Sequence, residues 1–161
     1  DRALLSLKSN DFPIYYLSPR GVKLDAQISN SISKLDGMTL VCGKYEGVDE
    51  RVIKHYNMIE ISIGDYILSG GDLAAMVLID SVVRCLPNVL GNPLTLNDET
   101  FTNHLLEYPL YTQPREWKNY KVPDVLLSGD HKKIKNWKIK QSEDITMKRR
   151  PDLWKKYLKL K

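Results

Sequence analysis

The sequence predicts an α/β domain on a mostly parallel sheet, followed by a small, all-helical, basic domain. Three observations carry that expectation. Short apolar runs each close on a glycine or proline turn. Segments of helical period lie between those runs, and after Pro123 the pattern turns helical and rich in lysine.

Residues 14–17, Ile-Tyr-Tyr-Leu, form the first strand-like run, closed by the turn Ser18-Pro19-Arg20-Gly21. Residues 38–42 form the second and end at Gly43; Ile59, Ile61 and Ile63 alternate with Glu60 and Ser62 in the third, which ends at Gly64. Between the first two lies a polar stretch, residues 25–35, with Ile28, Ile32 and Leu35 at helical spacing, and residues 49–56 suit another short helix. In parallel sheets built this way ligands bind at the carboxyl ends of the strands. The strongest helix begins near Asp72, after Gly70-Gly71, and stops before Pro87. Leu73, Met76, Val77, Val83 and Leu86 fall on one broad apolar face, which marks it as a core helix.

Residues 90–103 read as loop, long for a mere connection, and are expected to link two domains. The expected organisation is therefore residues 1–91, a linker at 92–103, and a helical domain at 104–161. In that last part Ile134, Trp137, Ile145, Leu153, Trp154 and Tyr157 are the apolar positions among the lysines, and Arg149-Arg150-Pro151-Asp152 separates two helices. Neither a repeat nor a low-complexity tract is present.

Composition narrows the function classes. The 161 residues, 42% hydrophobic and 27% charged, suit a globular protein with a real core. No apolar run is long enough to cross a bilayer, so no membrane partner is expected. The start, Asp1-Arg2-Ala3, has neither a secretory signal nor an initiator methionine. Cys42 and Cys85 sit in apolar runs without a Cys-x-x-Cys partner or nearby histidine, and are expected to be buried free thiols in a reducing cytoplasm. His55, His104 and His131 are too scattered for a zinc site.

Charge is unevenly spread. Residues 1–114 hold 9 Lys+Arg against 14 Asp+Glu, and residues 115–161 hold 15 against 6. A basic module on a mildly acidic one suits a polyanion, because each cation placed at a phosphate releases counterions. A lysine-rich, solvated helical surface has the same composition.

There is no P-loop and no G-x-G-x-x-G fingerprint. What remains is three strand-end segments: Tyr16-Leu17-Ser18-Pro19, Gly43-Lys44-Tyr45-Glu46-Gly47, and Ile63-Gly64-Asp65-Tyr66-Ile67-Leu68-Ser69-Gly70-Gly71. Side by side, such glycine-rich loops can hold a flat ring with main-chain N–H and C=O groups, as a nucleoside pocket requires. Singly, each is a turn.

Together these segments resemble the bacterial tRNA guanine-N1-methyltransferases of the SPOUT superfamily. That family's pattern includes Tyr-Leu-Ser-Pro, then Cys-Gly-(Arg/Lys)-Tyr-Glu-Gly-(Ile/Val)-Asp-Glu-Arg, which stands here at residues 42–51. It continues with Ser-Ile-Gly-Asp-Tyr-(Val/Ile)-Leu-(Ser/Thr)-Gly-Gly, here residues 62–71. The likeness runs on through Leu78-Ile79-Asp80, Arg84, Tyr111-Thr112, Val122-Pro123, Leu127-Ser128-Gly129, Lys140-Gln141-Ser142 and Arg149-Arg150-Pro151, covering nearly the whole chain in order.

The resemblance implies a trefoil knot in the sheet domain, S-adenosylmethionine held in the knot loops, and a homodimer whose active site is shared between subunits. It also implies a front portion of the family preceding this chain. By position, Tyr16, Leu17, Ser18, Pro19, Gly43, Tyr45, Glu46, Gly47, Ile63, Gly64, Asp65, Tyr66, Ile67, Leu68, Gly70 and Gly71 are the expected cofactor residues.

Arg84 and an acid in the linker are the expected catalytic groups. The family carries Asp two residues before the linker phenylalanine. Phe101 places Glu99 there, with Asp98 beside it, so the base is Glu99 or Asp98. Neutral guanine N1 bears a proton and is a poor nucleophile; a carboxylate must remove it, and a guanidinium suits the charge that spreads to O6. Read without the resemblance, Arg84 four residues after Asp80 makes an ordinary helical ion pair, and Asp98 and Glu99 are solvated charges. Glu46 and Asp65 suit contacts to substrate or cofactor, or bonds to turn amides.

The RNA-binding candidates are Lys44 beside the pocket, Ser128 and Gly129 at a helix entry, and Lys132, Lys135, Lys138, Arg149 and Arg150. Trp137 is assigned to the small domain's core rather than to base stacking. The expected function is methyl transfer from S-adenosylmethionine to N1 of the guanine immediately 3′ of the anticodon in tRNA. The competing readings are a noncatalytic RNA-binding module and a ribose 2′-O-methyltransferase of the same superfamily. Magnesium dependence is a further family expectation, for which no ligand cluster in the sequence identifies a site.

Overall fold

The structure is a computed structural model that describes residues 1–7, 12–89 and 100–161, with the side chain of Thr102 left aside. The chain divides into two compact units, Asp1–Gly91 and Asn92–Lys161.

In the first unit three parallel strands, β1 (Ile14–Lys23), β2 (Thr39–Cys42) and β3 (Ile59–Ser62), form a sheet in the order β2-β1-β3. Among the described residues four helices accompany it: α1 (Arg2–Leu5), α2 (Ala26–Ile32), α3 (Glu50–His55) and α4 (Gly71–Val83). The α2 start is fixed by Asp25, whose carboxylate accepts the Ile28 N–H at 2.9 Å; Asp49 caps α3 by accepting the Arg51 N–H at 2.8 Å.

Period-two alternation splits the central strand between two cores. Tyr15 and Leu17 of β1 join Ile32, Ile61, Ala74, Ala75, Leu78 and Val82, while Ile14 and Tyr16 point the other way and join Leu4, Ile53 and Met58. Burial on both faces is what a central parallel strand requires.

Two expectations about this unit are corrected. First, the opening run does not stop at a turn after Leu17. The strand slips register, with Leu17 and Val22 both opposite Ile61, and then continues to Lys23. Gly21 permits this, because a Cβ there would lie 2.4 Å from backbone atoms of Glu60 and Ile61 in β3.

Second, the apolar face expected to bury α4 is the wrong face. Leu73 (57% exposed), Met76 (64%) and Val77 (48%) are open, and Val83 and Leu86 with them; the buried residues are Gly71, Ala74, Ala75, Leu78 and Val82. Gly71, Ala74 and Ala75 at the start of that buried stripe let the helix axis come close to the sheet, and Leu78 and Val82 fill the core beyond them. Leu73, Met76 and Val77 stand outward.

In the second unit a 3₁₀ turn (Thr102–His104) precedes a hairpin of β4 (Glu116–Trp117) and β5 (Tyr120–Lys121), then helices α5 (Asp124–Leu127), α6 (His131–Arg149) and α7 (Pro151–Leu158). The hairpin corrects the all-helical expectation. Lys118 and Asn119 both take positive φ, 47° and 66°, the geometry of a two-residue turn that matches strand twist, and Asn tolerates it well.

Pro151 opens α7 where a missing N–H costs nothing. Interior contacts here are partly polar. Fully buried Thr146 accepts the Leu106 N–H at 2.8 Å and donates its hydroxyl to the Ser142 carbonyl at 2.6 Å. Leu153 is buried, and Ile134 and Trp137 are half-buried, with the Trp137 ring 6.2 Å from that of Tyr111.

Candidate functional site

The carboxyl ends of β2 and β3 and the middle of β1 open into a cleft of about 450 Å³, walled by the register slip within β1 and by the segments that follow β2 and β3. Its first wall is the register slip itself, residues 18–21. The second is the turn after Cys42 and the third the segment between β3 and α4.

The last two walls are laced together. Lys44 and Gly70 form an isolated antiparallel bridge, and the Gly71 N–H donates to the Gly43 carbonyl at 2.8 Å. Gly71 has to be glycine for this approach, since a Cβ would sit 2.9 Å from the Cys42 Cα. Beneath the second wall lies the buried ring of Tyr16, 3.0 Å from where a Cβ on Gly43 would be. Buried Ser62 closes the third: its hydroxyl donates to the Gly64 carbonyl at 3.1 Å and accepts the Gly64 N–H at 3.2 Å.

Every expected cofactor residue lines this cleft except Asp65. Asp65 pairs with Lys23 at 3.2 Å, with both side chains well exposed. Lys44 lines the cleft, its ammonium 5.4 Å from the centre of the Tyr45 ring, and Glu46 is an exposed carboxylate of the same wall.

The cleft also includes residues that the sequence reading passed over. Arg20 and Glu50 are the most consequential. The Arg20 guanidinium lies 3.0 Å from Glu50 at the start of α3 and 3.2 Å from Glu60 in β3, tying the first wall to two other elements. Glu50, then Glu60, raise the Arg20 pKa by hydrogen bonding, and Arg20 lowers that of Glu50. Ser62 and Ser69 line it too. Arg20 directly follows the Tyr-Leu-Ser-Pro segment, and both serines lie inside the third motif, so adjacency to the motifs was the available signal.

Of the expected catalytic groups, Arg84 caps the carboxyl end of α4, its N–H bonded to the Asp80 carbonyl at 3.2 Å, and is half-buried. Asp98 and Glu99 lie outside the described residues. The cysteines are free, but Cys42 is exposed and Cys85 half-buried, which corrects the expectation of buried thiols; Cys42 ends a strand at the sheet's edge. Desolvation, then the nearby Asp72 charge, push the Cys42 thiol pKa up, away from reactivity.

Among the RNA-binding candidates, Ser128 and Gly129 form the turn between α5 and α6. The Ser128 hydroxyl donates to the Val125 carbonyl at 2.8 Å, and Gly129 takes φ +70°. Lys132, Lys135 and Arg149 are exposed on α6, and Lys138 sits over the Tyr108 ring at 4.4 Å. Arg150 is engaged locally: its Nε donates to Asp152 at 2.8 Å, and its guanidinium lies 6.0 Å from the Phe101 ring.

Among the described residues no three His, Cys, Asp or Glu side chains group as a metal site, and no helix is long and apolar enough to cross a membrane.

A family model described as tRNA (Guanine-1)-methyltransferase TrmD matches residues 1–156. Among curated relatives, the tRNA (guanine-N(1)-)-methyltransferase of Pelagibacter ubique is 58% identical over 146 residues, which is 91% of this chain and 64% of that protein. The proteins of the same name from Ruegeria pomeroyi and Rhodospirillum rubrum are 50% and 51% identical, over 92% and 98% of this chain and 61% and 66% of their own lengths. The chain thus spans less than two thirds of the length of these relatives. With a family match over nearly its full extent and a cleft formed by all three of its motifs, the chain belongs to the tRNA (guanine-N1)-methyltransferase family.

Proposed function

We propose that this chain carries the cofactor cleft and a tRNA-gripping module of an S-adenosylmethionine-dependent methyltransferase, which methylates N1 of the guanine immediately 3′ of the anticodon. The observation that carries the reading is the convergence of three motif segments, two of them rich in glycine, on one cleft of the parallel sheet. A cleft of about 450 Å³ walled by main-chain groups and by Leu17, Ile63 and Leu68 fits an adenosyl group with its short aliphatic tail. The path of the chain through these segments is proposed to be the trefoil knot, supported by the family match.

When bound, the cofactor supplies a methyl carbon made electrophilic by the sulfonium. The chain's own groups do the rest. Glu99, or Asp98 beside it, takes the N1 proton, so that N1 forms its new bond to carbon as the sulfur–carbon bond breaks. Arg84 stabilises the charge that spreads to O6. No step is assigned to magnesium, an expectation kept from the family without a residue.

In organisation, residues 1–91 hold the cofactor, 92–103 connect, and 104–161 grip the tRNA through Lys132, Lys135, Lys138 and Arg149, with the protein in the cytoplasm. We further place the dimer contact on the outward face of α4, because Leu73, Met76 and Val77 present apolar area that a second copy would cover. Met76→Lys should then lower the sedimentation mass to that of a monomer; an unchanged dimer moves the contact elsewhere.

The reaction is tested by single-turnover methyl transfer to a tRNA transcript, with the modified nucleotide mapped. N1 methylation of the guanine after the anticodon, lost in Glu99→Gln with binding intact, is the expected result. Methylation at a ribose hydroxyl or another base overturns the proposal.

A further inference from the structure

The hairpin of β4 and β5 presents an aromatic surface that the small unit does not use for its interior. Trp117 and Tyr120 are cross-strand partners next to the two-residue turn, with ring centroids 6.4 Å apart and planes only 27° from parallel. Trp117 is 58% exposed and Tyr120 74%. The Lys118 ammonium lies 5.0 Å from the Trp117 ring centre, on the turn between them. Arg115 and Lys121 close the base of the hairpin, where the Val122 N–H donates to the Arg115 carbonyl at 2.9 Å. One acid, Glu116, stands among these cations, 3.8 Å from Lys121.

An aromatic pair of this kind stabilises a hairpin through ring-to-ring contact, and that role leaves both rings largely open to solvent. Two flat, wet aromatic faces with cations on both sides match a specific chemistry. A base offers a π-face of similar size, and its flanking phosphates need positive charge within a few ångströms. An apolar protein partner would be repelled by the lysines, and an acidic peptide would leave the rings unused.

We propose that this hairpin receives an unpaired base of the RNA, stacked on the Trp117–Tyr120 face, with Lys118 and Lys121 against the neighbouring phosphates. The inference rests on the reading that tRNA is the substrate, and adds a stacking site to the lysines of α6. Paired bases cannot offer this face, so the contact selects loop over stem.

The test uses the full-length protein and a tRNA transcript with guanine after the anticodon. In Trp117→Leu/Tyr120→Leu, which keeps apolar side chains on the hairpin, tRNA affinity should fall about tenfold or more, while Trp117→Phe stays within about twofold. KM for tRNA should rise with kcat unchanged. In wild-type protein labelled with 5-fluorotryptophan, the Trp117 resonance, assigned by its loss in Trp117→Phe, should shift with the transcript and with a single-stranded oligonucleotide, but not with a fully paired RNA duplex. Unchanged affinity in the double-leucine variant, an unmoved resonance, or an equal shift with duplex overturns the stacking site. Should wild-type protein methylate no tRNA, the proposed function falls instead, and a resonance shift with single-stranded RNA still reports on the hairpin.

Discussion

The two units of this chain hold themselves together by different means. In the first, backbone meets backbone: Gly21 lies against β3 and Gly71 against Cys42, and α4 nears the sheet through Gly71, Ala74 and Ala75. In the second, side chains tie the structure, with Thr146 bridging Leu106 and Ser142, and Glu143 accepting from both Tyr157 at 2.6 Å and Lys161 at 3.0 Å. A cleft built from main-chain groups tolerates almost no added atoms. A charged surface tolerates many exchanges so long as its sign is kept.

The sharpest way to break that contrast is to add one carbon to a glycine in each unit. Gly71→Ala puts a Cβ 2.9 Å from backbone that cannot move aside, and calorimetry should find cofactor binding abolished and stability lowered by about 1–3 kcal/mol. Gly129→Ala meets nothing within 4 Å and suffers only from φ +70°, at a cost of about 1–2 kcal/mol with cofactor binding retained. Gly64 falls between them. Its added carbon would meet the Tyr66 ring at 2.4 Å, but that ring is exposed and can swing. Equal binding losses at Gly71 and Gly129 would erase the distinction.

Next in size is Thr146→Val, which keeps the shape of the side chain and removes the hydroxyl. The Leu106 N–H then loses its acceptor in a buried place, and thermal or urea unfolding should show a loss of about 1–3 kcal/mol. Smaller on stability but visible in binding is the reversal Lys135→Glu with Lys138→Glu. For each phosphate deprived of its lysine, the slope of log affinity against log salt should become shallower by about 1, with cofactor binding unaltered.

The smallest effect is set by pH. Arg51 holds the Asp49 carboxyl down to about 2, and Arg150 does the same for Asp152, each chiefly through a side-chain hydrogen bond, from an ordinary value of 3.8. Both folded values lie below the unfolded one, so their stabilisation is present above 3.8 and lost as pH falls through about 2. Both groups are exposed. Carboxyl NMR titration should find the pair depressed at low salt and moving back towards 3.8 at high salt. Insensitivity to salt would point to the backbone bonds instead.

How far the sequence disclosed this molecule follows the same divide. The strands and short helices of the first unit were legible because their apolar spacing and closing glycines act locally. The register slip was not, since a strand that resumes after four residues looks like a strand that ends. The outward face of α4 was misread because periodicity reports that a stripe is apolar, and does not report which of two stripes meets the sheet. The buried stripe is Gly71, Ala74, Ala75, Leu78 and Val82, small at the end where the helix leaves the cleft. In the second unit the hairpin escaped notice because Lys118-Asn119 is a weaker turn signal than Asn-Gly, while the cleft residues Arg20 and Glu50 are neighbours only through a fold that brings residues thirty positions apart together.

The register slip in β1 also constrains how this segment can change over time. Residues 18–21 are flanked by Leu17 and Val22, both opposite Ile61, so they are a detour of fixed length anchored at both ends. Removing one of them would exchange the faces of the sheet on which Val22 and Lys23 stand, and adding one would do the same. The turn after Cys42 is pinned as well, by the Lys44–Gly70 bridge and by the Gly71 N–H donated to the Gly43 carbonyl. Among descendants of this gene, insertions and deletions should be absent from both of these walls.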